Sequence, residues 1–436
     1  MKPKKNRVFV VVLIFLLFFV LRSTSVYGED YSFDVSEIEK KSWQFGGYAE
    51  FSPVLFKLNE ESSLYKLGFY DKDKKSNIKE YNFKVQLEGS YEKGISKVFI
   101  RTNSELTNSY SEWSDETAIY EGYFSLKPSS SFRIDIGKKA LKWGKGYAWN
   151  PVAFLDRPKD PDDPELNLEG FIVGCADYIQ SFEGVLKTLA LSSVVIPVYE
   201  DINDDFGNIN HLNFAEKIYF LLYDTDIDLI FMTGASITGR YGFDFSRNIS
   251  TNLEIHGEFA YIDDYQKRYT DDYGNIREEV DDVRNYLFGI RYLTTHDTTF
   301  IAEYLRNDAG YKQDKMKDFF SLIDTGYEDY LVDGSHSLLN KAINIQGKYG
   351  RNPMKDYLYF RVSQKEPFDI LYFTPSVSSI FNMDDRSFSL SPELLYNGIT
   401  NLELRLRTSF LEGKEDTEYG EKQSDCRVEF RARYYF

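Results

Sequence analysis

Strict alternation is the feature that most constrains this chain. Tyr81, Phe83, Val85 and Leu87 are separated by Asn82, Lys84, Gln86 and Glu88. Leu253, Ile255 and Phe259 share a side that excludes Glu254, His256 and Glu258, and Leu402, Leu404 and Leu406 interleave with Glu403, Arg405 and Arg407. A period of two means strands, and a sheet with one apolar and one polar face. The pattern runs to the last residue. Val428, Phe430, Ala432, Tyr434 and Phe436 oppose Arg427, Glu429, Arg431, Arg433 and Tyr435.

A soluble sandwich alternates too, but there the apolar face is the core. In a membrane barrel the apolar face meets lipid and the polar face lines the lumen. The segment lengths, about ten residues, suit a tilted membrane strand. Short connections ("EKGI", "KPSS", "YDTDI", "TTHD", "YNGIT") alternate with long polar ones, and strand ends carry Tyr, Phe and Trp as interface girdles do. Backbone groups in lipid must all be paired, so the sheet must close. Nineteen segments alternate, but both chain ends on one side require an even number. Working back from the turn "YNGIT" assigns "KAINIQGKYG" (341–350) to a long outside loop covering about 308–354. The expectation is a single all-β, antiparallel transmembrane barrel of about eighteen strands, sixteen being the nearest alternative.

The N-terminus adds an address. Lys2, Lys4, Lys5 and Arg7 precede an apolar run from Val8 to Leu21, and small residues surround Gly28. This predicts a signal peptide over 1–28, a short periplasmic segment over 29–42 and the barrel over 43–436. Cleavage removes basic residues only, from a chain already at −17, and no cysteine follows to make a lipoprotein. The acidic balance excludes nucleic acid as the main partner. Cys175 and Cys426 form no framework and are expected unpaired.

An alternating last strand ending on an aromatic resembles the C-terminal signature of bacterial outer-membrane barrels. Phe430, Tyr434 and Phe436 carry it here. The resemblance implies a Gram-negative outer-membrane location, with lipid, lipopolysaccharide and the barrel-assembly machinery as partners. A second stretch, "GKKALKWGKGYAWNPVAFLDRPKDPDDPE" (137–165), is similar to a motif of the alginate-export-type eighteen-stranded barrels. Gly137, Lys142, Trp143, Gly144, Asn150, Pro151, Asp160, Pro161, Asp163 and Pro164 carry the likeness, and 384–407 adds to it. This implies passive passage of a solute.

Two sites follow for such a channel. Residues 141–169 form the third outside loop, stiffened by Pro151, Pro158, Pro161 and Pro164. Trp143, Tyr147, Trp149 and Phe154 give it apolar surface to pack within something. Its Lys142, Lys145, Arg157 and Lys159 beside Asp156, Asp160, Asp162 and Asp163 would make a constriction with opposed charges. The bland alternative is a salt-bridged loop on the rim. Strand parity sends Lys84, Arg101, Arg133, Asp135, Arg291, Arg361, Glu403, Arg405, Arg407, Arg427, Glu429, Arg431 and Arg433 to the lumen. Guanidinium stays charged and binds carboxylate or phosphate bidentately, so an anion pathway is expected. Cross-strand ion pairs that only brace the wall are the competing reading.

Enzymatic readings find no support. His211, His256, His296 and His336 lack metal-ligand spacing, and no nucleophile elbow, phosphate loop or haem-attachment motif occurs. No cofactor is expected, and 263–282 reads as an acidic, solvated outside loop. The expected function is passive diffusion of small, preferentially anionic, solutes. The alternatives are an export conduit for an anionic polysaccharide, a sheath around a partner protein, and an adhesin.

Overall fold

The computed structural model describes residues 42–436 except 111, 271–274, 348 and 350. The predicted signal peptide and nearly all of the 29–42 segment lie outside the described residues.

The described residues form eighteen strands in one antiparallel sheet. The first nine are β1 (Trp43–Leu58), β2 (Asn77–Lys93), β3 (Ser96–Ser109), β4 (Glu112–Leu126), β5 (Phe132–Lys139), β6 (Phe171–Ser181), β7 (Leu186–Val198), β8 (His211–Leu222) and β9 (Thr225–Thr233). The second nine are β10 (Arg240–Ser250), β11 (Leu253–Thr270), β12 (Ile276–Leu293), β13 (Thr298–Arg306), β14 (Asp356–Gln364), β15 (Phe373–Asn382), β16 (Phe388–Ile399), β17 (Leu402–Glu412) and β18 (Ser424–Tyr435). Each strand pairs with its sequence neighbours, and β1 pairs with β18 in the register Tyr48↔Tyr435, which closes the barrel. Gly47 and Phe436 exchange both backbone hydrogen bonds at 3.1 Å, so the terminal aromatic completes the seam.

The two faces are inverted relative to a soluble protein. Outward positions such as Phe83, Phe214, Phe360, Phe430 and Tyr434 are exposed, and Phe51 stacks on Phe83 at 4.8 Å. Inward positions such as Gln86, Asp135, Asp228, Asp244, Arg405 and Arg431 are buried. That is the arrangement lipid demands of a barrel.

Three expectations need correction. β3 runs to Ser109 and β4 starts at Glu112, so both strands continue past the apolar belt where a long connection was expected. Likewise 265–270 and 276–281 pair as extensions of β11 and β12, with a register shift between Ile262 and Tyr265, where a loop was expected. Beyond the membrane neither face needs apolar residues, so these extensions read as loops. The lumen wall is also less polar than expected. Val173, Val194, Ile196, Ala215, Ile230 and Met232 face inward and form an apolar cluster with the third outside loop.

Segment 341–350 is not a strand, as the connection rule required. Most of it belongs to α3 (Ser337–Gln346), which follows α2 (Gln313–Asp333) in the long seventh loop between β13 and β14. Met316, Phe319, Phe320 and Ile323 are buried at helical spacing on α2, and Gly334, at φ 76°, ends it with its N–H on Tyr330 O. The first loop contributes α1 (Ser63–Phe69), whose cap Ser62 accepts from Tyr65 N. These helices share a buried cluster with Trp149 of the third loop and inward-facing Leu287, Ile301, Tyr357 and Tyr359.

Candidate permeation site

The third outside loop leaves β5 after Lys139 and lies inside the barrel. Its first half is tied into a ring. Asp156 accepts from the backbone N–H groups of Leu141, Lys142 and Trp143 at 2.9, 2.8 and 2.8 Å. Burial raises the Asp156 carboxyl above its ordinary range, against the pull of these three donors. Trp143, Val152, Phe154 and Leu155 then pack on the apolar inner wall of β6 to β9 and on Ala260 of β11.

Two wall carboxylates hold the next turn. Glu258 on β11 accepts from Lys145 N and Gly146 N at 2.6 Å each, and from Val152 N at 3.2 Å. Glu303 on β13 accepts from Tyr147 N and, at 2.8 Å, from Ala148 N. His256 Nε2 lies 2.8 Å from Glu303, in space that a Cβ on Gly289 would fill. Lys145 reaches across to Asp228 at 2.9 Å and Asp244 at 3.8 Å.

The second half of the loop meets the opposite wall. Asp163 bonds to Arg405 at 3.1 Å and Arg431 at 3.2 Å, and Asn167 donates to Gln86 at 3.1 Å. Burial alone would raise the Asp163 carboxyl, but Arg405, Arg431 and Arg407 outweigh it and hold it at about 2. The loop thus touches β2, β9 to β11, β13, β17 and β18, and spans the interior instead of lying on the rim.

Several of the arginines named from the sequence lie together on one wall. Arg405 bonds Glu429 at 2.8 Å, Arg407 bonds Glu393 at 2.8 Å, Arg433 bonds Glu50 at 2.7 Å and Arg431 bonds Glu403 at 3.2 Å. Arg427 pairs with Glu429, and Arg361 lies 3.7 Å from Glu393 with its guanidinium over the Tyr147 ring. Between this wall and loop residues 163–167 lies a cavity of about 200 Å³. Five arginines line it, Arg361, Arg405, Arg407, Arg431 and Arg433, against Asp163, Glu165, Glu393 and Glu403.

Other predicted lumen residues lie elsewhere on the wall. Lys84 is 3.9 Å from Glu105, Arg101 bonds Glu88 at 2.9 Å and Glu121, and Arg133 bonds Asp177 at 2.7 Å beside Asp135. Arg291 is exposed near the short-turn end of β12. Within the loop, Arg157 pairs with Asp205 and lies over Phe171, and Asp160 pairs with Arg351 of the seventh loop. Lys159 donates to the carbonyls of Gly146 and Tyr147 at 2.7 and 3.3 Å, and burial lowers its ammonium. Burial raises the Asp162 carboxyl, Lys142 is exposed, and Trp143 packs on the wall away from the cavity. Glu50 and Glu393 were missed as functional positions, and Glu258 and Glu303 were read as lumen-facing carboxylates but not as loop anchors. Inward parity marked each of them, but their partners are set by cross-strand register and by the loop's path.

No family model matches the sequence, and no curated protein matches it. Solved structures do. Pseudomonas aeruginosa OccK9 (OpdG) has a TM-score of 0.52 at 11% identity, covering 91% of this chain and 98% of that one. Pseudomonas aeruginosa OpdL has a TM-score of 0.50 at 9% identity, with coverage of 90% and 98%. Pseudomonas aeruginosa OpdQ has a TM-score of 0.50 at 10% identity, with coverage of 91% and 98%. What the chain shares with these structures is the fold, a closed antiparallel barrel that here has eighteen strands. The alginate-export-type resemblance gains no support from these comparisons.

Proposed function

We propose that this chain is an outer-membrane channel for passive diffusion of small solutes, with a preference for anions. The observation that carries the reading is the third loop crossing the lumen and leaving a gap faced by five arginines and four carboxylates. Among the residues that face the gap, arginines outnumber carboxylates by one, while Glu50 and Glu429, outside the lining, pair with Arg433 and Arg405. The guanidiniums cannot deprotonate, and each keeps N–H donors beyond those held by its wall carboxylate. Loop residues Lys142, Lys145, Arg157, Lys159, Asp160, Asp162 and Asp163 serve to hold or charge the constriction, and Trp143 anchors it. Phe430, Tyr434 and Phe436 serve assembly into the membrane. A lumen crossed by its own loop opposes the sheath reading, because a partner polypeptide would need that space.

Swelling of liposomes containing the protein tests the reading. Small organic acids should enter faster than neutral solutes of equal size, and neutral solutes faster than amines. Equal rates for all three would remove the anion preference. No entry of any solute through a folded barrel would remove the channel.

A further inference from the structure

The lipid-facing surface is not uniform. On β13 to β18, outward positions between the strand ends carry no Asp, Glu, Lys or Arg. The β5–β8 sector differs. Glu216 points outward from the middle of β8, with Leu212 and Phe214 on one side of it along the same face and Ile218 and Phe220 on the other. Its carboxylate accepts from Ser193 Oγ of β7, at 3.0 Å. On β5, Lys138 also points outward, beyond Phe132, Ile134 and Ile136, and pairs with Glu169. Ionisable groups on a lipid face are costly, and such groups mark sites that meet a partner.

Their placement is specific. Lys138 is the fourth outward position above the 127–131 turn, and Glu216 the fourth above the Tyr223–Asp224 turn. Counted from the short turns both lie at one height, Lys138 being the last outward position of β5. They flank β6 and β7 symmetrically. Between them β6 presents Gly174 and Ala176 outward, and β7 presents Ser193 and Val195. Small residues let two backbones approach closely in lipid.

We infer that the outer face of β5–β8 is a two-fold self-association surface of this chain. An axis along the membrane normal between β6 and β7 carries the β5 of one copy onto the β8 of the other. Glu216 then faces Lys138 of the second copy, twice, and Gly174 and Ala176 meet Val195 and Ser193 of the second copy. This is the self-complementarity a two-fold interface requires.

The test uses the full chain in mild detergent and in lipid nanodiscs, with mass measured by native mass spectrometry. The wild type should be a dimer. Glu216→Leu and Ala176→Trp should each shift it to monomer while the barrel keeps its heat-modifiable gel mobility. In a Cys426→Ser background, Ser193→Cys should cross-link between copies with a short bismaleimide, and Val362→Cys on β14 should not. A monomeric wild type in both media overturns the inference, with or without co-purified lipid. So does a Glu216→Leu variant as dimeric as the wild type. If Glu216→Leu does not fold, Ala176→Trp decides in the same way, because it alters bulk and no charge.

Discussion

Replacing Glu258 by Ala should release the third loop without unfolding the barrel. Glu258 is 3% exposed and accepts three backbone N–H groups of the loop. Hydrogen bonds to a charged acceptor contribute about 1.5–3 kcal/mol each, so allowing for water that replaces part of them the anchor loses about 3–6 kcal/mol. At about 1.4 kcal/mol per tenfold, the displaced loop gains on the order of a hundredfold or more in population. Glu303 still holds Tyr147 and Ala148, and the apolar packing of Trp143 and Phe154 remains, so the loop shifts instead of leaving. The strand ladder is untouched, and heat-modifiable mobility should stay as in the wild type. Single-channel recording in planar bilayers should show larger and noisier openings. Glu258→Gln should be intermediate, because its amide oxygen retains part of the donors while its NH₂ opposes Val152 N. Wild-type conductance and noise in the folded Ala variant would refute the anchoring argument.

The other predictions address separate parts. Arg405→Ala strands Asp163 and Glu429 without their shared partner, so zero-current potentials in a salt gradient should move toward the cation side. Because the Asp163 carboxyl is held at about 2, its contribution is present above the ordinary carboxylate range and lost as pH falls through about 2. Conductance should therefore be flat from pH 7 to 4 with respect to this group. Glu418, in the ninth loop (413–423), behaves oppositely. Burial raises its carboxyl to about 7, so protonation favours the folded loop, and stability rises as pH falls from about 7 toward the ordinary value. Exchange protection in 413–423, after correction for the intrinsic base-catalysed rate, should be greater at pH 6 than at pH 8, and Glu418→Gln should abolish the difference. Phe319→Ala, in the core of α2, should cost the seventh loop about 3–5 kcal/mol and expose it to protease while the strands stay protected. Deleting Phe436 should lower the yield of folded barrel in the outer membrane, read as the heat-modifiable fraction.

The barrel was legible because its signal is local. Tyr81 to Glu88 or Leu402 to Arg407 announces two faces from adjacent residues alone. The exclusion of 341–350 needed one further fact, that short and long connections must alternate, and the structure has α3 there. The arginine wall was legible for the same reason, since parity assigns Arg405, Arg407, Arg427, Arg431 and Arg433 to one side. Their neutralisation was not. That Arg433 meets Glu50 depends on which strands close the barrel, 383 residues apart in the chain. The loop anchors were harder still. Glu258 and Glu303 bind backbone N–H groups, which no side-chain pattern reports. The extensions of β3, β4, β11 and β12 were hidden because a strand in water needs no apolar face, so its period two disappears.

Ion selectivity of the purified, folded protein in a planar lipid bilayer with a salt gradient tests the central claim most directly. The account predicts steady openings and a zero-current potential on the anion side, moved toward the cation side by Arg405→Ala and Arg431→Ala together. A cation-selective wild type, or a folded barrel that conducts no ions at all, would contradict it.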